Sequence, residues 1–165
     1  MDSNMIMNEP PEIASKIYEI LSNFFFDLET YRAVSQYIGS LSINDIRRPL
    51  WIVFSNNCLM MAVVEWCKIF GSKKNNKTHY THCIDHIDGI EEISNEMKEF
   101  RDKYISHYDY YDKPVPFLDE AVKIIAAFDQ AMLEKYISNN TMPTATVIIN
   151  YRIDIQKRLE AIINK

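Results

Sequence analysis

An all-α fold is expected from three observations. The 165 residues include only three glycines, Gly39, Gly71 and Gly89, too few for the turns of a strand-rich fold. Apolar residues recur at steps of three and four rather than two. Those glycines, with Pro10, Pro11, Pro49, Pro114, Pro116 and Pro143, stand between the periodic segments, where helices start and stop.

Each element follows from that pattern. From Glu12 to Ile38 the apolar positions are Ile13, Ile17, Ile20, Leu21, Phe24, Leu28, Tyr31 and Val34, a helical stripe that Asp27 could kink or re-cap. Ser42, Asn44 and Asp45 offer N-cap side chains for a second helix, with Pro49 in its first turns and Gly71 after Phe70. That helix is apolar almost all round, with Trp51, Ile52, Phe54, Leu59, Met60, Val63, Val64, Trp66, Ile69 and Phe70. It is therefore expected to be the central, buried one. Gly71 to Lys77 reads as a basic loop containing Lys73, Lys74 and Lys77. A short helix is predicted from Thr78 to Ile87 and another from Asp88 or Gly89 to about His107. A tyrosine- and proline-containing loop follows, from Tyr108 to Pro116. Asp119 and Glu120 open a helix running to Ile137, and a last one runs from about Thr144 to Ile163. The expected architecture is a single domain over residues 1–165, a bundle of five to six helices.

Composition narrows the function classes. The chain is 47% hydrophobic, which rules out a disordered chain. The longest apolar stretch, Leu50 to Phe70, is interrupted by Ser55, Asn56, Asn57, Glu65 and Lys68. Met1 to Pro11 lacks the basic and apolar regions of a signal peptide. Cys58, Cys67 and Cys83 are odd in number and lack CxxC spacing, so they read as reduced thiols. A soluble cytoplasmic protein without a membrane partner is expected. A formal charge of −5 disfavours a bulk electrostatic nucleic-acid binder, so any RNA chemistry must reside in a small local site. Gly-rich phosphate loops, HExxH, GxSxG and EF-hand loops are absent.

The stretch that carries chemistry is Glu99-Phe100-Arg101-Asp102-Lys103-Tyr104-Ile105-Ser106-His107-Tyr108-Asp109. An Arg followed by a polar residue, with a His six positions after the Arg, resembles the motif of HEPN domains (the higher eukaryotes and prokaryotes nucleotide-binding superfamily). The form found here is similar to the branch associated with phage abortive infection. The resemblance extends upstream to the apolar helix with Trp51, Asn56 or Asn57, and Glu65-Trp66 ending in Phe70-Gly71. Downstream it reaches the Pro114 loop and the next helix, so that it spans Ile43 to Ile137.

The resemblance implies a HEPN-like fold and a metal-independent endoribonuclease acting in phage defence or as a toxin. RNA is then the substrate, the chain is a homodimer with two copies of the motif facing each other in a cleft, and a cognate antitoxin or regulatory protein is a further partner. No cofactor and no metal ion are expected. The chemistry is sensible in its own right. Histidine titrates near neutral pH and can take the proton of a 2′-hydroxyl, while arginine offers a permanently charged fork to two phosphate oxygens. Arg101 would stabilise the phosphorane, His107 would act as base or acid, and Asp102 would orient His107 or hold Arg101.

In a straight α-helix six residues leave about 120° between the two side chains, so either the helix loosens near Ser106 or a dimer completes the site. The same residues also have a bland reading: a solvated Arg101 and a His107 that caps a helix C-terminus. Between Asp88 and Glu120 ten carboxylates stand against four Lys or Arg, a surface that suits an inactive or partner-inhibited variant. The alternative function is therefore a non-catalytic HEPN-like bundle that binds a protein partner or nucleotide.

Two further patterns are weaker. His79, His82 and His86 would share one helical face, as metal ligands do, but no second cluster supplies a fourth ligand, and solvated histidines are the reading adopted. Tyr108, Tyr110 and Tyr111 follow His107. In one HEPN branch a Tyr two residues after the His is adenylylated by a partner enzyme. Asp109 occupies that position here, so loop packing is the reading for these tyrosines.

Overall fold

A computed structural model describes residues 11–105, 115–116, 118–136 and 144–163. Among the described residues five α-helices follow in order: α1 (Ile13–Ser40), α2 (Arg48–Phe70), α3 (Ile90–Phe100), α4 (Leu118–Lys135) and α5 (Thr144–Ile163). A 3₁₀ turn at Tyr80–His82 precedes α3, and a π-helical turn at Arg101–Ile105 continues it. No strand occurs among the described residues. The all-α bundle expected from the glycine count and the periodicity is what the chain forms.

α1 and α2 are joined by a short turn and run antiparallel, with the Ser35 and Ser55 hydroxyls 2.9 Å apart across the pair. Asp27 neither kinks nor caps α1, which passes through it and ends one residue beyond Gly39. Its carboxyl stays on the half-buried flank, so the helix needs no break to solvate it. The turn into α2 is pinned by side chains. Arg48 donates from Nη1 to Ile38 O in the last turn of α1 at 2.8 Å and to Leu41 O just beyond it at 3.0 Å. Asp45 accepts from the Arg47 backbone N–H at 2.9 Å and from its guanidinium. The expected N-cap residues thus shape the turn, while Arg47 occupies the cap position and Pro49 the first helical turn.

α2 is central only in its second half. Cys58, Leu59, Ala62, Val63, Trp66, Ile69 and Phe70 are buried, whereas Leu50, Val53 and Phe54 are exposed. The expectation of a helix buried throughout is corrected here: α3 reaches the far end of α2, where Ser94 bonds to Phe70 O, and the exposed apolar side chains lie in the first half. By length and composition α2 also meets the measure of a membrane span, with a mean hydropathy of 1.4 over 18 residues, of which 39% lie buried inside the bundle.

One core joins α1, α2, α3, α4 and the loop between α2 and α3. An aromatic chain runs through it. Trp66 and Phe70 have ring centroids 4.9 Å apart, Phe70 lies 5.8 Å from Tyr80 and 5.9 Å from Phe128, and Phe128 lies 6.2 Å from Tyr18. α5 closes on α1, where the Ser22 and Tyr151 hydroxyls are hydrogen-bonded and the Glu29 carboxylate, buried in α1, accepts from Arg152 Nε at 2.9 Å and from Arg32 at 2.6 Å. Burying that carboxylate is tolerable because two guanidiniums satisfy it.

The end of α2 positions the rest. Its terminal carbonyls are satisfied by side chains from elsewhere: Ser94 Oγ donates to Phe70 O at 2.7 Å, and Asn76 and Thr78 donate to Lys68 O at 2.9 and 2.8 Å. Gly71 ends the helix because a side chain does not fit. A Cβ there would sit 2.4 Å from the Cys67 carbonyl oxygen, which already accepts the Gly71 N–H. Gly71→Ala is therefore expected to destabilise by about 1–3 kcal/mol, as overpacking against backbone does. A thermal melt should show a midpoint lower by several degrees.

Candidate functional site

α3 is strongly amphipathic. Ile90, Ser94, Met97 and Phe100 are buried at helical spacing, while Glu91 and Glu92 occupy the first turn, where the helix dipole favours anions. Gly89 caps it with φ of +74°, a left-handed conformation that costs a side chain dearly. With Phe100 seated in the core, the next residue emerges at the edge of the bundle, and Arg101 is partly exposed there. Asp102 is exposed, and its Oδ1 accepts from Arg101 Nε at 2.8 Å and from Nη2 at 2.7 Å. That ion pair forms within one chain.

The helix does loosen in this region. Arg101–Ile105 forms a π-helical turn, which widens the backbone spacing, and such turns recur at functional sites. Loosening begins at Arg101 itself, earlier than Ser106. His107 lies outside the described residues, as do Ser106, Tyr108, Tyr110 and Tyr111. The π turn packs on α2 and brings the guanidinium to the neighbourhood of Cys67. Burial pushes the Cys67 thiol up to about 11; Arg101 and Lys98 act against that shift and Asp102 adds to it. Cys67 thus stays protonated at neutral pH and is no nucleophile. All three cysteines are free and buried.

Lys98 also lines a cavity of about 270 Å³ with Gly71, His79, Tyr80, Glu91 and Ser94. The sequence reading gave Lys98 no role and took Cys67 only as a reduced thiol. Cys67 is far from Arg101 along the chain, and only the docking of α3 on α2 makes them neighbours.

The histidine cluster dissolves in the structure. Thr78–Ile87 is not the expected short helix but an irregular segment with one 3₁₀ turn, so the spacing of the three histidines places them on no common face. Buried His79 accepts the Thr81 N–H at Nδ1, 3.3 Å away, which leaves Nε2 to donate to Gly71 O at 3.3 Å. Burial lowers its pKa. His82 Nε2 lies 3.1 Å from Asn76 O, and His86 Nε2 lies 2.9 Å from Asp88 Oδ1. No group of three metal-ligating side chains converges among the described residues.

An acidic pair unforeseen from sequence, Asp27 and Glu65, joins α1 and α2. Glu65 is buried, its Oε1 accepting from Lys68 Nζ at 2.5 Å while Oε2 finds no hydrogen-bond partner among the described residues. Burial first, and the nearby Glu65 carboxylate second, push Asp27 up from 3.8 to about 6, with Lys68 acting against them. A raised folded-state pKa means that ionising Asp27 opposes folding. The penalty is absent below about pH 4, grows between pH 4 and 6, and is complete above pH 6. Asp27→Asn is expected to stabilise the fold by about 1 kcal/mol at pH 7–8, after discounting the shift for partial exposure, and by nothing at pH 3.5. Urea melts at both pH values test this. An equal gain at both would show that ionisation is not the cause.

Comparison with protein-family models, with curated proteins and with solved structures finds no match for this chain.

Proposed function

We propose that this chain is a metal-independent endoribonuclease of HEPN type, in which Arg101, His107 and Asp102 form the catalytic group. The observation that carries the reading is the Arg101–Asp102 pair, placed on a π-helical turn at the edge of the bundle. A guanidinium held by one carboxylate on a partly exposed turn keeps donors for a phosphate and is oriented before the substrate arrives. His107 would remove the proton of a ribose 2′-hydroxyl. The 2′-oxygen would then attack phosphorus, Arg101 would balance the charge on the pentavalent intermediate, and the 5′-oxygen would leave with a proton. The products are a 2′,3′-cyclic phosphate and a 5′-hydroxyl. A role in phage defence or as a toxin restrained by a partner protein suits such a nuclease.

The test is RNA cleavage by the purified chain in EDTA, wild type beside His107→Ala, with end analysis of the products. Cleavage that leaves cyclic phosphates and disappears in the variant supports the proposal. Cleavage that persists in the variant, or none by a folded protein, sinks it. One observation favours the second reading, a non-catalytic partner-binding bundle: a large apolar face is exposed on α2. Expression separates the two. Toxicity of the wild type that is relieved by Arg101→Ala and His107→Ala belongs to a nuclease, and equal tolerance of all three belongs to a binding module.

A further inference from the structure

The acidic balance of the chain reverses locally beside Arg101. Between Glu65 and Asp85 there are four lysines, Lys68, Lys73, Lys74 and Lys77, and no carboxylate. Of the described lysines only Lys73, Lys74, Lys77, Lys98 and Lys157 form no salt bridge. All of these but Lys157 stand on α3 or in the loop after α2. An ammonium that no carboxylate of its own fold has claimed keeps its donors for an anion from outside.

Two of these cations flank a cavity. It holds about 270 Å³ between the end of α2, the loop after it and α3, and is lined by Gly71, His79, Tyr80, Glu91, Ser94 and Lys98. Lys73 stands close enough that its charge adds to burial in lowering the pKa of His79. Pockets that enclose a whole small molecule begin at roughly 300 Å³, so this one fits a single group of a longer ligand. The loop is fixed before any ligand arrives. The Asn76 N–H closes a turn on Lys73 O at 3.1 Å, with Asn75 left-handed at φ of +59°. Asn76 and Thr78 tie the same loop to Lys68 O, so Lys73 and Lys74 are displayed in solvent with little backbone ordering left to oppose binding. Lys98 lies three residues before Arg101, one helical turn, and both charges reach Cys67.

We propose that the cavity mouth and the Lys73–Asn76 turn bind the RNA strand beside its scissile phosphate, with Lys98, Lys73 and Lys74 taking flanking phosphates. This deepens the ribonuclease reading and rests on it. The alignment selects RNA over an acidic protein segment, because the unpaired lysines lead to the residue that would hold the scissile phosphate. A charged groove that tracks the backbone is how single strands are held, and it lets a chain of net charge −5 retain a polyanion at one place.

Fluorescence anisotropy of a labelled single-stranded oligoribonucleotide of about 12 nucleotides, in EDTA, tests this on the full chain. Every protein in the series carries His107→Ala, so that no RNA is cut. Lys73→Gln, Lys74→Gln and Lys98→Gln together should weaken binding at least about 30-fold. They should also lower the slope of log affinity against log salt by about 2, at roughly 0.7 for each phosphate contact of a single strand. Lys157→Gln on α5 should bind like the parent. Glu91 is the one carboxylate among the described residues that line the cavity, so Glu91→Gln should bind a few-fold more tightly. Urea melts check that each variant is folded. A triple variant that binds like the parent overturns the proposal, and so does a parent that binds no RNA near about 50 mM salt. Poly-glutamate that displaces the RNA at equal charge concentration would assign the face to an acidic protein segment and overturn it as well. The ribonuclease reading fails separately. Binding through these lysines without cleavage by the wild type removes the nuclease and leaves the RNA surface. Wild-type cleavage by the triple variant with His107 restored removes the surface and leaves the nuclease.

Discussion

Arg101→Ala is expected to lower RNA cleavage by about 10²–10³-fold, the usual cost of deleting a group that stabilises developing transition-state charge. The fold should be untouched. The Arg101 side chain is one-third exposed, and an ion pair as open as the one with Asp102 contributes at most about 1 kcal/mol. Arg101→Lys keeps the charge but loses the planar fork that engages Asp102 and two phosphate oxygens together, so its activity should lie between those of wild type and alanine. Asp102→Asn separates orientation from charge: it retains an acceptor for Arg101 but removes the anion that would repel a phosphate. If Asp102 serves to hold Arg101, the asparagine variant loses less than Arg101→Ala. Single-turnover cleavage in EDTA with matched urea melts gives the answer. An Arg101→Ala protein that cleaves like the wild type would remove Arg101 from the mechanism, whatever His107 does.

What was legible in the sequence follows from which forces are local. α1, α4 and α5 were readable because apolar stripes at steps of three and four report directly on which side of a helix is buried. Gly71 was readable because it ends an apolar run. The Thr78–Ile87 segment was misread because its spacing imitates a helix. Its structure is set instead by distant partners: His79 bonds to Gly71, Thr78 and Asn76 to Lys68, and the Tyr136 hydroxyl to Cys83 O at 2.7 Å. Such bonds leave no periodic trace. α2 misled for a related reason. A helix apolar on all sides reads as central, yet burial depends on what packs against each half, and the first half keeps Leu50, Val53 and Phe54 exposed. At the candidate site, the Arg101–Asp102 contact is between neighbours in sequence and was foreseeable. The approach of Lys98 and Arg101 to Cys67, and of Asp27 to Glu65, depends on docking between helices and was not.

Trp66→Ala should be the most damaging single substitution in the core, costing about 3–5 kcal/mol of the roughly 5–15 kcal/mol by which such domains are stable. The Trp66 ring is wholly buried, packs on Phe70, and donates from Nε1 to Ala121 O of α4 at 3.4 Å. Truncation to alanine opens a cavity at the junction of α2 and α4 and leaves the Ala121 carbonyl without that donor. Trp66→Phe keeps most of the ring volume and loses the donor, so it should cost well under half as much. In urea the alanine variant should show a midpoint shifted far down with an unchanged slope, because the surface exposed on unfolding is nearly the same. A changed slope would instead mean that α4 detaches before the rest unfolds. The consequence for the site is specific. The π turn bearing Arg101 rests on the half of α2 that Trp66 anchors, so any cleavage activity of Trp66→Ala should fall in step with its folded fraction as temperature rises. Below its own melting range activity should persist, whereas Arg101→Ala should show the same large loss at every temperature at which it is folded.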